Sequence, residues 1–164
     1  MSARKTASLR GHKTASMVAI DTVLNDQIVG FALWDLPVCR DETEEQVVTP
    51  AEAELPAGVT DLKAYARFLS ILQEDHETTF GERQLKDVWH LDFIGVDPKH
   101  QRRGTGKALL SWGVEQAAKE GRECYLMATP QGRPLYEAAR FEIVRPMDML
   151  GVMHPSMILH ESDE

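Results

Sequence analysis

The chain has 164 residues, of which 43% are hydrophobic and 27% charged, and this composition is that of one globular domain. It contains no run approaching the ~20 apolar residues of a membrane-spanning helix and no apolar segment of a secretory signal, so we expect a soluble cytoplasmic protein without a membrane partner. The formal net charge of −8 argues against general affinity for nucleic acid and is compatible with a cationic substrate.

The first residues differ in composition from the rest of the chain. Residues 1–16 contain basic side chains and no acidic ones. This is the composition of a mitochondrial presequence or of a basic tail, and we interpret the segment as a tail ahead of a single domain at residues 17–160. That domain opens with two predicted antiparallel strands, Ser16 to Leu24 and Gln27 to Leu36, which are joined by a tight turn at Asn25-Asp26.

An acidic segment separates this hairpin from the first predicted helix. Residues 37–56 are rich in Asp and Glu and have little periodicity. They predict a mobile loop that either keeps the protein soluble or attracts a protonated amine. From Thr60 or Asp61 a helix follows, whereas residues 74–86 have no clear assignment. The apolar positions predicted to share one face of this helix are Leu62, Tyr65, Ala66, Leu69 and Leu72.

The stretch from Leu91 to Gly121 carries the strongest signal. A strand over residues 88–96 is broken by Asp97-Pro98, and an apolar-periodic helix runs from near Gly104 to Gly121. Because two glycines open this helix, its first backbone N–H groups stay accessible to an anion that the helix dipole also attracts. The cationic side chains around this predicted phosphate cradle are Arg102, Arg103 and Lys107.

Two common phosphate loops do not fit the same residues. A Walker A loop would need Gly in place of Gln101 and Ser or Thr in place of Ala108, and a dinucleotide fingerprint would need Gly in place of Leu109. The run Gln101-Arg102-Arg103-Gly104-Thr105-Gly106, placed after a strand that ends in V-D-P, resembles instead the coenzyme A signature of the GNAT N-acetyltransferase superfamily, [QR]-x-x-G-x-[GA].

The order of the remaining elements is similar to the same family. Residues 123–129 predict a strand parallel to the strand at residues 88–96, because a crossover helix joins the two. A helix opened by Gly132-Arg133-Pro134 follows, with Leu135, Ala138 and Ala139 as its buried stripe. Residues 141–144 and 156–160 predict the last strands. The resemblance implies a mixed α/β sheet of GNAT type with helices on both faces.

The chain departs from the family pattern in two places. The family has a strand and two helices ahead of the first hairpin, and residues 1–16 cannot hold them, so we expect shortened N-terminal elements or a cover supplied by another subunit, as in a homodimer. The family run Y-x-x-x-G-F appears as Tyr136 to Phe141 with Arg140 in place of Gly, which implies local strain at the end of the helix.

The resemblance implies acetyl transfer from acetyl-CoA to an amine, either a small molecule or a peptide, without a metal. Tyr136 matches the position of the family's tyrosine acid, and Asp92 or His90, on one face of the strand, would accept the amine's proton through water. The residues expected to bind acetyl-CoA lie at the end of the strand over residues 88–96 and in the turn that follows it. These residues are Ile94, Gly95, Val96, Gln101, Arg102, Arg103, Gly104, Thr105, Gly106 and Lys107.

Other interpretations remain open. A catalytically silent domain that binds acyl-CoA as a sensor or scaffold would carry the same cradle. Nucleic-acid binding through the basic residues from Lys99 to Lys107 is disfavoured by overall acidity and by the lack of interleaved aromatic residues. The two cysteines, Cys39 and Cys124, are expected to be reduced thiols, with Cys124 in the core and not a nucleophile.

Overall fold

The structure, a computed structural model, describes residues 14–37, 61–83 and 85–160. It contains a six-stranded sheet and a separate two-stranded hairpin. The strands are β1 (Thr14–Asp21), β2 (Gln27–Asp35), β3 (Trp89–Val96), β4 (Cys124–Met127), β5 (Glu142–Arg145), β6 (Asp148–Met149), β7 (Val152–Met153) and β8 (Ser156–Leu159). The α-helices are α1 (Leu62–Phe80), α2 (Thr105–Lys119) and α3 (Arg133–Ala138).

The large sheet is mixed, with the strand order β1-β2-β3-β4-β8-β5. All neighbouring strands in it are antiparallel except β3 and β4, which run parallel and are joined by α2 as the crossover helix. This arrangement confirms the predicted mixed sheet and the parallel pair. β6 and β7 form a short hairpin within the segment that the sequence predicted as a loop between the last two strands.

The first hairpin forms as predicted. Asn25 and Asp26 both have positive φ values, 53° and 59°, and this backbone twist suits a tight turn between antiparallel strands. β1 is shifted toward the N-terminus relative to the prediction: it begins at Thr14 and ends at Asp21, whose carboxylate accepts a hydrogen bond from the Val23 amide at 2.9 Å. The predicted start of the domain therefore lies inside β1. Most of the predicted basic tail and of the acidic loop lies outside the described residues.

Helix α1 is longer than the sequence indicated. Asp61 caps it by accepting a hydrogen bond from the Ala64 amide at 2.9 Å, and the helix continues to Phe80 through residues that had no assignment. The predicted stripe is wrong at Leu62 and Ala66, which are exposed. The buried positions are Asp75 and Phe80 because α1 contacts the sheet mainly through its C-terminal half.

The sheet is covered on both faces, as expected. Alternating side chains of β4 divide between two clusters, since Cys124 and Leu126 join one and Tyr125 joins the other. The larger cluster lies under α2 and α3, and the apolar period predicted for α2 is confirmed by its buried Leu110 and Ala117. On α3 the prediction is wrong at Ala138, which is exposed, because in this short helix Tyr136 takes the buried position.

Candidate active site

Strands β3 and β4 separate in the middle of the sheet. Their parallel ladder pairs Trp89 with Cys124 and ends at Leu91 opposite Leu126, although β3 itself continues to Val96. The register between β2 and β3 changes at the same level, because Leu33 faces Phe93 and Trp34 faces Leu91. Asp92 is thus the extra residue of a β-bulge, a distortion that bends the strand locally. The distortion of β3 therefore lies at Asp92, next to the level where its ladder with β4 ends.

The bulge changes which residues of β3 face the main core. Before it, Trp89 and Leu91 belong to the cluster under α2, and after it Ile94 and Val96 pack against the same cluster. The alternation of inward and outward side chains therefore shifts by one residue at the bulge. Asp92 follows the inward-facing Leu91 directly, at the point where the two parallel strands part.

Several hydrogen bonds hold the turn after β3 in place. The Asp97 amide donates to the Val29 carbonyl at 2.8 Å, and the Asp97 carboxylate accepts from the Lys99 amide at 2.8 Å. The amide nitrogen of the Gln101 side chain donates to the Val96 carbonyl at 3.1 Å. Gln101, predicted to bind the cosubstrate, thus braces the turn against the end of β3.

Helix α2 begins with a glycine in a left-handed conformation. Gly104 is the N-cap with φ 85° and forms no side-chain cap, and the first hydrogen bond recorded in the helix runs from the Ala108 amide to the Gly104 carbonyl at 2.9 Å. The amides of Thr105, Gly106 and Lys107 precede that bond and have no partner within the helix. A Cβ atom added to Gly104 would meet nothing within 4 Å, so the space beside this N-cap residue is open.

The cationic side chains of the predicted cradle are exposed to solvent around this opening. Arg102, Arg103 and Lys107 all lie on the surface, and Arg102 itself has a positive φ of 63°. Main-chain donors, the positive end of the helix dipole and exposed cationic side chains therefore occupy one place. This arrangement suits a phosphate or diphosphate group.

Helix α3 reaches the same place from the other side. A Cβ atom on Gly106 would lie 3.5 Å from the Cδ2 atom of Leu135 and 3.8 Å from the Cγ2 atom of Val96. The first turn of α2, the end of β3 and the start of α3 therefore converge. Tyr136, the predicted acid, follows Leu135 directly on α3 and is placed near this convergence.

Tyr136 is buried in the larger core cluster, with 5% of its surface exposed. Burial raises its pKa to about 12, so the phenol stays protonated at neutral pH. The helix ends just after it with Arg140 at φ 67°, the left-handed conformation implied by the family's glycine, and with a hydrogen bond from the Phe141 amide to the Tyr136 carbonyl at 3.0 Å.

On the opposite face of β3, two polar side chains from neighbouring strands come together. Asp35 of β2 is paired with His90 of β3 in the ladder, and the Nδ1 atom of His90 lies 3.4 Å from the Asp35 Oδ2 atom. The Thr14 hydroxyl donates a hydrogen bond to Asp35 Oδ1 at 3.1 Å. The sequence analysis missed Asp35, because only the strand register brings it beside His90.

The chain matches the model of the Acetyltransferase (GNAT) family over residues 5–141. The chain belongs to the GNAT acetyltransferase family. A protein named "Acetyltransferase" from the fungus Stachybotrys chartarum is 29% identical over 120 residues, which cover 73% of this chain and 51% of that protein. The chain therefore spans about half the length of this curated relative.

Solved structures of GNAT proteins share the fold at low identity. Mosquito arylalkylamine N-acetyltransferase like 5b has a TM-score of 0.64 at 16% identity, with 88% of this chain and 73% of that chain covered. Arabidopsis thaliana NAA60 in complex with acetyl-CoA has a TM-score of 0.55 at 16% identity, with coverages of 96% and 81%. A protein described as histone acetyltransferase HPA2 and related acetyltransferase, from Corynebacterium glutamicum, has a TM-score of 0.59 at 20% identity, with coverages of 98% and 72%.

A buried carboxylate on α1, which the sequence analysis missed, fixes this helix to the sheet of the GNAT domain. Asp75 is fully buried, and its carboxylate accepts hydrogen bonds from the Tyr125 hydroxyl and, at 2.9 Å, from the Ser156 hydroxyl. Burial, and then the bond to Asp75, raise the pKa of Tyr125. Tyr125 is the neighbour of the β3 opening on β4, but its hydroxyl is committed to Asp75, so it is not a second candidate for the acid.

Cys124 lies in the core, and burial raises the pKa of its thiol to about 12, which agrees with a structural and not a nucleophilic residue. Among residues 14–37, 61–83 and 85–160, no group of three or more His, Cys, Asp or Glu side chains is arranged to hold a metal ion. The helices of these ranges are also too short or too polar to cross a membrane.

Proposed function

We propose that this chain transfers an acetyl group from acetyl-CoA to a primary amine, by direct attack of the neutral amine and through a tetrahedral intermediate. The observation that carries the proposal is the junction of two features: a glycine-opened helix start with accessible amides, and the parting of β3 from β4 beside it. Membership of the GNAT family supports this interpretation. The neighbours of known fold include an arylalkylamine N-acetyltransferase like protein and NAA60, so we propose the acceptor no more narrowly than a primary amine.

In this proposal the diphosphate of acetyl-CoA binds at the start of α2. The amides of Thr105, Gly106 and Lys107 donate to its oxygens, and Arg102 and Arg103 neutralise its charge from the surface. Gly104 permits this helix start because a residue with a side chain would adopt its left-handed backbone conformation only at a cost. Gln101 contributes indirectly by holding the turn through its bond to Val96.

The pantetheine arm would then follow β3 into the opening between β3 and β4. Ile94, Gly95 and Val96 belong to the part of β3 that continues beyond the end of its ladder with β4. We propose that N–H groups in this segment bond the pantetheine amides and the thioester carbonyl. A fixed donor at that oxygen stabilises the negative charge that develops on it in the transition state.

We propose Asp92 and Tyr136 as the two proton-transfer groups. Asp92, in the bulge, takes a proton from the incoming ammonium through a water molecule, because only the neutral amine can form the new C–N bond. When the C–S bond breaks, Tyr136 donates its proton to the leaving sulfur, and the excess proton on the nitrogen of the new C–N bond passes to water, which leaves a neutral amide. Burial keeps Tyr136 protonated at neutral pH, as a donor must be, and solvent later returns the proton.

The proposal can be tested with the protein and acetyl-CoA. We expect calorimetry to detect acetyl-CoA binding, and free thiol to appear when the protein is incubated with acetyl-CoA and a broad panel of small amines, lysine-containing peptides and peptide N-termini. Thiol release with acetylated product would establish the activity. Binding without acetylation of any amine would instead favour the silent sensor or scaffold, and no binding would remove both.

A further inference from the structure

His100 is a buried histidine in the turn that leads to the cradle. The residue is 8% exposed and stands directly before Gln101, between the end of β3 and the start of α2. Its Nδ1 atom is enclosed and has no hydrogen-bond partner among the described residues. A buried polar atom without a partner is unfavourable, and such atoms are rare in folded proteins. The position of this imidazole therefore calls for an explanation beyond packing.

Two carboxylates from different parts of the chain face the two ring nitrogens of His100. The Nε2 atom lies 3.9 Å from the Oδ2 atom of Asp21, at the end of β1, and the Nδ1 atom lies 3.8 Å from the Oδ1 atom of Asp97, in the turn itself. Both distances exceed the hydrogen-bond range of about 2.7–3.2 Å. The other charged side chains of the hairpin turn and of the turn after β3 are exposed to solvent: Asp26, Lys99, Arg102 and Arg103.

The charge of the imidazole decides how well these three groups fit together. A neutral imidazole has one N–H group, so one of its nitrogens can donate to a carboxylate while the other presents a lone pair to negative oxygen. A protonated imidazole has two N–H groups and a positive charge, so it can satisfy both carboxylates at once. A movement of about 1 Å at each nitrogen would bring the pairs to the distance of charge-assisted hydrogen bonds. Protonation of His100 would therefore join Asp21 to Asp97.

These contacts bear on the support of the turn. The Asp97 amide already ties the turn to β2 through its hydrogen bond to the Val29 carbonyl at 2.8 Å. A protonated His100 would add an anchor on β1, through Asp21. Since the cradle begins directly after His100, at Gln101, a firmer turn would order its amides before the ligand arrives and so reduce the entropy lost on binding.

The same three groups also act on the ligand through their charge. The four residues from His100 to Gly104 span at most about 14 Å, so the carboxylates of Asp21 and Asp97 are near the expected diphosphate. Two negative charges at such a distance disfavour an anion, and a positive imidazole between them offsets one of the two. Packing of the turn and electrostatics therefore act in the same direction: both favour the bound anion when His100 is protonated.

We propose that His100 is a positioning residue of the acetyl-CoA cradle, and that its protonation, between Asp21 and Asp97, tightens acetyl-CoA binding as the pH falls. The inference rests on the proposed binding of acetyl-CoA and adds a regulation by pH to that site. Histidine is the side chain that ordinarily changes charge between about pH 5 and 8. By linkage, a protonation that favours binding is itself favoured by binding, so the protein should take up protons when acetyl-CoA binds.

The test measures acetyl-CoA affinity by calorimetry between pH 5.5 and 8.5 in the full chain. Because a phosphate of the ligand also changes charge in this range, the wild type and His100→Gln are compared at each pH. We expect the wild type to bind about fivefold more tightly than His100→Gln at pH 5.5 and equally tightly at pH 8.5. The control is His160→Gln, which should match the wild type throughout, since His160 pairs with Glu123 at the end of the sheet opposite the cradle.

A second variant tests the role of the carboxylate. Asp21→Asn keeps the oxygen that accepts from the Val23 amide and removes the charge that faces His100. In this background, His100→Gln should cost less affinity at pH 5.5 than it costs in the wild type. Calorimetry in two buffers of different ionisation heat measures proton uptake on binding, and Asp21→Asn should take up fewer protons than the wild type. This comparison also serves if His100→Gln does not fold.

The outcomes separate this inference from the function beneath it. If the wild type binds no acetyl-CoA at any pH, the proposed function fails and the role of His100 fails with it. If the wild type binds and His100→Gln differs from it by the same factor at every pH, the proposed function stands and the inference is overturned, because His100 would then act by packing alone. Equal proton uptake by the wild type and Asp21→Asn would overturn it as well.

Discussion

The backbone of Gly113 lies against the indole of Trp34. A Cβ atom at Gly113 would be only 2.1 Å from the Cε2 atom of Trp34, far inside contact distance. Trp34 is fully buried and makes an edge-to-face contact with Trp89 at 6.2 Å between ring centroids, so the ring has little room to move. Gly113 therefore sets how closely α2 packs on the strand that carries Asp35, next to Trp34 in sequence.

We predict that Gly113→Ala destabilises the protein. Alanine in a helix is normally preferred to glycine by about 1 kcal/mol, but overpacking a dense core costs about 1–3 kcal/mol and here involves a rigid ring. The free energy of unfolding, measured with urea, should therefore fall. In the double variant Gly113→Ala/Trp34→Leu the cost of the alanine should largely disappear, and an undiminished cost would contradict the clash as its cause.

We predict that Gly104→Val removes detectable acetyl-CoA binding while the protein still folds. The added side chain has space, since nothing lies within 4 Å of the Cβ position, but φ 85° is unfavourable for a β-branched residue and the helix start must rearrange. Calorimetry measures the affinity, and circular dichroism checks the fold. Gly106→Ala is the matched control, because its methyl group would make ordinary contacts at 3.5 and 3.8 Å and affinity should be retained.

We predict that Tyr136→Phe lowers kcat by on the order of a hundredfold, with the acetyl-CoA affinity unchanged. The phenylalanine ring preserves the packing against Phe141, at 6.1 Å between ring centroids, and removes only the proton that leaves with the sulfur. Steady-state kinetics by thiol release and calorimetry measure the two quantities separately. Undiminished turnover would exclude Tyr136 as the acid.

We predict that His76 makes the stability fall as the pH drops from 6.5 to about 4. Burial, and then the charge of His90, lower the pKa of His76 from its ordinary value of 6.5 to about 4 in the folded protein, against an opposing influence of Asp75, so in this window the unfolded chain binds more protons than the folded one. The free energy of unfolding therefore rises with pH across this window, and the contribution of His76 to it is complete above the window. Urea unfolding at several pH values should show a shallower slope for His76→Asn than for the wild type, and equal slopes would contradict the assignment.

Several elements follow from local patterns in the sequence. The hairpin turn at Asn25-Asp26, the helix start at Gly104 and the left-handed Arg140 depend on residues next to one another, whose backbone preferences act over a few positions. The buried stripe of α2 was also predictable because a long, regular helix repeats its apolar spacing. The stripes of α1 and α3 were not, since α1 contacts the sheet mainly through its polar second half and α3 is too short to show a period.

The sequence by itself determined that a strand, a glycine-opened turn and a helix follow one another, and it predicted a phosphate cradle there, because that signal lies within a few consecutive residues. Only the tertiary structure decided where the sheet parts, that Asp35 stands beside His90 and that Asp75 is buried against Tyr125 and Ser156. These relationships join residues far apart in the chain, and they depend on strand register and helix packing. A one-residue change in register would move each of these side chains to the other face of the sheet, so no local pattern can specify them.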